Sequence, residues 1–355
     1  MSEQVQTAVV GVTGYAGAEL ARLLLRHPRL KGTPPVFAGR VDDKAAARGG
    51  VPIVEIHPHL ADNNGSSVLR LEPFSWEMLA DRGVEVLFLA TPHEQSRGWV
   101  PEALARGLRV VDLSGAWRLN EAKNRAIYAF EDEGSEKAAT TQAQAVYGMP
   151  ELHRREIAGA MLVANPGCYA TSVILALKPL IAAGIVDVAH GIVADSKSGV
   201  SGAGKAPTSK THYMNAADNL SAYGVFSHRH TGELLEQIGI GAGDIVFTPH
   251  LLPIPRGILS TIYVRFRESQ TRESMARTYR EFFAASPMVR IYDNSLPQIQ
   301  YSVRTNYADI GFHLAGDGRR AVIVSCLDNL LKGASGQAVQ NLNVMFGWGE
   351  AEGLE

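Results

Sequence analysis

The chain has 355 residues, 46% of them hydrophobic and 20% charged, which is enough for two domains that each bury a core. A formal net charge of -2 with no Lys/Arg cluster argues against a nucleic-acid partner, and no apolar run approaches the roughly 18 residues of a membrane span. Two cysteines, Cys168 and Cys326, are too few for a disulfide framework, and Met1-Ser2-Glu3-Gln4 lacks the basic and apolar regions of a signal peptide, so a cytoplasmic protein is expected.

Thr7 to Val12 reads as a strand, and Ala18 to Arg26 as a helix with Leu20, Leu23 and Leu24 on one face. Between them lies Gly11-Val12-Thr13-Gly14-Tyr15-Ala16-Gly17. Glycines at these positions let the backbone turn sharply and approach a pyrophosphate at the helix N-terminus. Gly11, Thr13, Gly14, Tyr15, Ala16 and Gly17 are therefore candidate cofactor residues. The G-x-x-G-x-x-G spacing departs from the usual dinucleotide fingerprint, and an ordinary βα turn is the alternative. Pro35 to Ala38 reads as the second strand and runs into Gly39-Arg40. An NAD site carries an acidic residue near there; a cation suits a 2′-phosphate, which predicts NADP, against a plain surface arginine. Val84 to Ala90 reads as a central parallel strand, Trp99 to Arg106 as a helix, and Arg109 to Leu113 as a further strand. This alternation predicts a doubly wound α/β sheet, with Thr91, His93 and Ser114 at the cofactor edge. His57 and His59 lack accompanying ligands, so no metal site is expected. Lys123 to Thr141 is polar and reads as exposed loop or helix.

Leu162 to Ala164 is apolar and runs into Asn165-Pro166-Gly167-Cys168, followed by a helical pattern from Thr171 to Leu180 with Pro179 near its limit. Cys168 thus sits where a strand hands over to a helix. Free N–H groups and the positive helix end favour a thiolate with a lowered pKa there, and the same groups suit an oxyanion. A small buried hydrophobe is the competing reading. Val188 to Ala194 reads as a strand leading into a loop, Asp195 to Lys205, whose Ser196, Ser198, Gly199 and Lys205 suit an anion. His228 and His230 flank Arg229 at a helix start; either could exchange a proton with Cys168, with Glu233 orienting it. Ile245 to Phe247, Ile258 to Phe266, Gln298 to Tyr301, Ala308 to Leu314 and Ala321 to Ser325 read as strands, and Thr271 to Ala285 as a helix. Gly316-Asp317-Gly318 closes a hairpin. Such a run predicts an antiparallel or mixed sheet with helices on one face, an α+β domain. Arg256 is placed to clamp a carboxylate, and Ala334 to Phe346 reads as the last helix.

Several ordered blocks carry a resemblance. Gly11 to Gly17, Asp112-Leu113-Ser114 with Arg118-Leu119, Tyr147 to Leu152, Ala164 to Tyr169, Asp195 to Lys205, His228-Arg229-His230, Phe247 to His250, Arg256 to Leu259, and Asp328-Asn329-Leu330 with Lys332-Gly333-Ala334 occur in sequence. Over nearly its whole length the chain resembles the N-acetyl-gamma-glutamyl-phosphate reductases, relatives of aspartate-semialdehyde and glyceraldehyde-phosphate dehydrogenases. The resemblance implies NADPH-dependent reduction of an acyl phosphate to a semialdehyde in arginine biosynthesis, through a thioester on Cys168, with His228 or His230 as acid/base and His230 preferred. It implies Asn329 on the nicotinamide carboxamide and substrate contacts from Asn165, Arg118, Ser196, Ser198, Gly199, Lys205, Arg256 and Glu233. It further implies a homotetramer. The expected fold is a Rossmann-type doubly wound sheet over residues 1–165, completed by a C-terminal helix at 330–355, with a glyceraldehyde-phosphate-dehydrogenase-like α+β domain at 166–329. A reductase of an aminoadipate derivative on a carrier protein would share these motifs, and a non-catalytic nucleotide sensor is the reading from another class.

Overall fold

The computed structural model describes residues 4–61 and 69–355; Met1, Ser2 and Glu3, read above for a signal peptide, lie outside the described residues. Strands are numbered throughout, and helices where they reach eight residues. The first sheet is built from β1 (Thr7–Val10), β2 (Val36–Gly39), β3 (Val51–Pro52), β4 (Arg70–Pro73), β5 (Val86–Leu89), β6 (Arg109–Asp112), β7 (Ala145–Tyr147) and β8 (Leu162–Ala164). Their order is β3-β4-β2-β1-β5-β6-β8-β7, parallel throughout except for the short β3–β4 pair. Connectivity runs one way from β1 to β2 and the other way from β1 to β5. The loops after β1 and β5 therefore diverge and open a crevice at their carboxyl ends.

Helix α1 (Tyr15–Arg26) starts three residues earlier than its apolar face suggested, directly on the glycine turn. Helix α2 (His93–Ala105) likewise starts six residues before Trp99 and runs through Pro101. Both first turns border the crevice and add no regular apolar face, so amphipathic periodicity does not reveal them. Helix α3 (Pro150–Ala158) follows β7.

The second sheet contains β9 (Ile192–Gly199), β10 (Ser221–Ala222), β11 (Ile245–Leu252), β12 (Ile258–Arg265), β13 (Val289–Tyr292), β14 (Ala308–Leu314) and β15 (Arg320–Leu327), ordered β10-β11-β9-β12-β15-β14-β13. It is mixed, with β9–β11 and β13–β14 parallel and the other pairs antiparallel. Helices α4 (Cys168–Ala182), α5 (Thr231–Ile238) and α6 (Arg272–Phe282) join one apolar core with this sheet. On its other face Val193, Val246 and Tyr263, which sit side by side across β11, β9 and β12, remain exposed.

Four expectations are corrected. Residues 195–199 are strand rather than loop: the chain makes a short 3-10 turn at Val188–His190, Gly191 takes φ +74°, and β9 runs from Ile192 to Gly199. Its serines looked loop-like, but Ser196 bonds Ser260 (2.7 Å), and Ser172 of α4 bonds both Ser260 (2.8 Å) and Ser325 (3.1 Å). Buried hydroxyls that satisfy one another cost little. The stretch Gln298 to Tyr301 is not a strand but a helical turn, Ile299–Ser302, because Ile299 packs over Gly257, where φ is +107° and a Cβ would lie 2.2 Å from the Ile299 side chain. Strand β13 was not anticipated. Pro179 does not end α4, which continues to Ala182 with Leu177 and Leu180 fully buried.

After β15 the chain returns to the first sheet. Leu331–Ser335 forms a π-helical turn, and α7 (Gly336–Met345) follows. Leu331, Ala338, Val339 and Leu342 share a core with Val9, Leu20 and Val163. A buried ion pair fixes this return: Lys332 Nζ donates to Glu151 Oε1 of α3 at 2.7 Å and to Gln340 Oε1 at 2.6 Å. Burial opposes ionisation of Glu151, but the Lys332 ammonium outweighs it and lowers the carboxyl pKa. Removing one member strands the other charge. Glu151→Ala should therefore lose about 3–5 kcal/mol in urea denaturation, and the double variant Glu151→Leu/Lys332→Met should recover most of that loss.

Candidate active site

The turn after β8 sets the site. Gly167 is the N-cap of α4 and has no side-chain cap, so Cys168 occupies the first helical position. Glu233 of α5 is fully buried, and Gly167 N donates to its Oε2 at 2.9 Å. Tyr147 Oη donates to the same oxygen at 2.7 Å, and Arg118 Nη1 donates to Oε1 at 3.2 Å. Arg118 also donates through Nε to Asn165 O and through Nη2 to Leu113 O. Gly333 completes the seat, since a Cβ there would come within 2.7 Å of Cys168 Cβ.

His230 lies against this turn: a Cβ on Gly167 would sit 2.4 Å from His230 Nε2. The His230 N–H donates to His228 Nδ1 at 3.1 Å, and the two rings are 4.6 Å apart. His230 Nδ1 is buried with no hydrogen-bond partner among the described residues. Burial first, then the neighbouring His228, holds the His230 pKa well below its usual value; burial and Arg229 lower His228 to about 4. Both rings are neutral at neutral pH.

The expectation of a thiol pKa lowered by the helix end is corrected. Burial pushes Cys168 up to about 11, and the Glu233 carboxylate adds to that; the Tyr169 N–H and Arg118 pull the other way without prevailing. The resting pair is thiol and neutral imidazole.

Two cavities meet at Cys168. One, of about 220 Å³, is bounded by Tyr169, Ser198, Lys210, Tyr223 and His228; the other, of about 390 Å³, runs from Gly14 to Gly17 past Thr91, His93 and Ser114 to Asn329. Cys168, Arg229 and His230 border both. In the crevice Gly11 takes φ +94°, where a Cβ would meet Ala90 O at 2.3 Å, and a Cβ on Gly17 would meet Gly11 O at 2.2 Å. Gly14, Tyr15, Ala16 and Gly17 line it, and α1 begins there with no side-chain cap. Thr13 offers its carbonyl to Lys205 Nζ at 3.2 Å. Thr91 Oγ1 is buried without a partner among the described residues. An uncapped helix end, a cradle closed to any Cβ and an orphaned hydroxyl fit a dinucleotide. Arg40 follows β2 and is exposed. Asn329 accepts from Gly257 N (2.8 Å) and donates to Ser201 Oγ (2.9 Å) at the crevice wall. Ser114 is tied to Asp112 (2.8 Å).

Several expected substrate contacts are turned inward instead. Asn165 donates to Ala334 O and accepts from Asn341 Nδ2, both at 3.0 Å. Ser196 belongs to the hydroxyl cluster under α4. Gly199 is pressed against Ile254 and Arg256 backbone, at 2.7 Å from a would-be Cβ. Arg256 pairs with Glu19 and with Asp328, and Glu233 grips Gly167 rather than a histidine. In each case a nearer protein partner satisfies the group. His57 Nε2 lies 2.7 Å from Val12 O and supports the glycine turn. Lys210, Tyr223, Tyr128 and Arg229 also line the cavities; in the sequence only the His-Arg-His spacing points toward Arg229.

Residues 6–160 match the family model "Semialdehyde dehydrogenase, NAD binding domain", and residues 168–329 match "Semialdehyde dehydrogenase, dimerisation domain". Aspartate semialdehyde dehydrogenase II of Vibrio cholerae shares the fold at TM-score 0.68 and 17% identity, over 97% of this chain and 98% of that one. The Candida albicans enzyme, solved with NADP, superposes at TM-score 0.67 and 16% identity, over 97% and 99% of the two chains. The class is thus a semialdehyde dehydrogenase, with an NAD(P)-binding sheet and a domain through which such chains associate with their own copies. Relatives named N-acetyl-gamma-glutamyl-phosphate reductase from Methanocaldococcus jannaschii and Desulfotalea psychrophila are 39% and 42% identical, over 98% and 99% of this chain and 97% and 98% of theirs. The chain belongs to the N-acetyl-gamma-glutamyl-phosphate reductase family. Among the described residues no helix is long and apolar enough to cross a membrane.

Because the resting group is a thiol, alkylation of Cys168 by iodoacetamide should accelerate about tenfold per pH unit from about pH 7 to about pH 10. A rate flat through the neutral range would show a standing thiolate.

Proposed function

We propose that the protein reduces N-acetyl-gamma-glutamyl phosphate to N-acetyl-glutamate 5-semialdehyde with NADPH, releasing phosphate, as a step of arginine biosynthesis in the cytoplasm. The observation that carries this reading is the seating of Cys168 at the start of α4, with the Nε2 edge of His230 packed on Gly167, where the two cavities join.

His230, neutral and bordering both cavities, takes the Sγ proton as sulfur attacks the acyl carbon. Sγ forms a thioester, the carbon–oxygen bond to the phosphoryl group breaks, and His230 passes the proton to the departing phosphate. Bound NADPH supplies the hydride that reduces the thioester. The resulting oxyanion lies near the Cys168 and Tyr169 N–H groups at the helix start, then collapses to the aldehyde and releases Sγ, which regains a proton from solvent. The buried thiol stays protonated until a substrate and a base are both present. His228 acts through its Nδ1, which accepts from His230 N and fixes that segment.

Residues 1–165 and 330–355 would hold NADP, with Asn329 at the carboxamide and Arg40 at the 2′-phosphate. Residues 166–329 would carry the chemistry and the oligomer contact. The exposed Val193, Val246 and Tyr263 row on the open face of the second sheet supports assembly through that face, within a homotetramer.

Run in reverse with phosphate and NADP, the enzyme should oxidise N-acetyl-glutamate 5-semialdehyde and not the carrier-bound aminoadipate semialdehyde; the opposite preference would overturn the substrate assignment. Cys168→Ala should abolish turnover. His230→Asn should lower kcat about 10²–10⁴-fold, with a smaller effect for His228→Asn. Arg40→Ala should raise KM for NADPH far more than for NADH, and equal effects would remove Arg40 from the cofactor site.

A further inference from the structure

Arg229 stands between the two histidines in the chain, and it is the cation, among the described residues, that borders both cavities at Cys168. Its competitors are engaged or elsewhere. Arg118 is buried, with Nε, Nη1 and Nη2 committed to Asn165 O, Glu233 and Leu113 O. Arg256 is held by Glu19 and Asp328, and Lys205 donates to Thr13 O at the far end of the crevice. Lys210 borders only the smaller cavity. Among the described residues Arg229 pairs with no carboxylate. Its Nη1 lies 3.3 Å from His93 Nδ1, and its guanidinium carbon is 5.7 Å from the Tyr128 ring centroid.

His93 fixes the orientation. Its Nε2 is 2.9 Å from Glu94 Oε1, so the ring proton resides there and Nδ1 presents a lone pair to Arg229. One edge of the guanidinium is thereby anchored, and among the described residues its other donors have no hydrogen-bond partner, while the side chain borders both cavities.

The reaction puts an anion at that junction. When Sγ attacks, the carbon–oxygen bond to the phosphoryl group breaks and its electron pair leaves on the phosphate oxygen. The same carbon must then be open to hydride from the crevice side, so the phosphate is released next to both spaces. We propose that Arg229 binds the phosphoryl group of the acyl phosphate, and inorganic phosphate in the reverse direction, and that His93 is the positioning residue that aims its guanidinium. A planar fork with free donors is suited to two phosphate oxygens at once.

The inference rests on the acyl-phosphate reading, and reverse-direction kinetics separate the two. If the wild-type enzyme with NADP and the semialdehyde shows no phosphate-dependent turnover, the acyl-phosphate reading itself fails. If it does turn over, Arg229→Met should raise KM for phosphate about 10–100-fold while KM for the semialdehyde and for NADP moves less than about threefold. Arg229→Lys, which keeps the charge without the fork, should lie between and serves if the methionine variant does not fold. His93→Leu should raise phosphate KM several-fold, and His93→Gln, which restores an acceptor, should return it toward wild type. A rise confined to the semialdehyde KM or the NADP KM, or no change in any, overturns the assignment.

Discussion

The structure depends on one buried carboxylate. Glu233 enters from α5, a helix of the second domain, and is met by Gly167 N, Tyr147 Oη and Arg118. These partners come from three places: the turn before Cys168, the end of β7, and the loop after β6. A carboxylate can accept several hydrogen bonds, and in a dry interior each missing one is costly, so the group enforces their mutual placement. The arrangement also has an electrostatic effect on Cys168. Glu233 raises the thiol pKa while Arg118 lowers it, and burial decides the outcome upward. Precise seating of Cys168 is thus obtained with a neutral thiol beside an imidazole that burial keeps unprotonated.

Beneath α4 a second constraint operates. The hydroxyls of Ser172, Ser196, Ser260 and Ser325 join the helix to three adjacent strands by directional bonds. Hydrophobic packing alone tolerates sliding of a helix on a sheet; a chain of hydrogen-bonded hydroxyls does not. The chain then crosses back, and Lys332, Glu151 and Gln340 lock the return, while Gly333 leaves room for Cys168. Cys168 is therefore contacted by both halves of the molecule. Asn165 belongs to this framework as well, spending its amide on Ala334 and Asn341.

This explains which of the expected ligand residues face protein partners. Arg256, Ser196, Asn165 and Gly199 have the chemistry of substrate ligands, and chemistry is all that a one-dimensional reading sees. Each has a protein partner brought from far along the chain: Glu19 for Arg256, Ser260 for Ser196, Asn341 for Asn165, and the 254–256 backbone for Gly199. Conversely, Lys210, Tyr223 and Tyr128 carry no local motif and reach the cavities only through folding.

Local rules settled the strand–glycine–helix opening, the alternation that builds the doubly wound sheet, the β14–β15 hairpin, and the placement of Cys168 at a strand-to-helix junction. Those features depend on periodicity and on where proline and glycine are allowed, which are properties of a few consecutive residues. Folding in three dimensions decided the rest. It turned a serine-rich stretch into part of strand β9, converted Gln298 to Tyr301 into a helical turn over Gly257, and raised rather than lowered the thiol pKa. Desolvation, hydroxyl pairing and side-chain packing are sums over neighbours distant in the chain, and no local pattern encodes them.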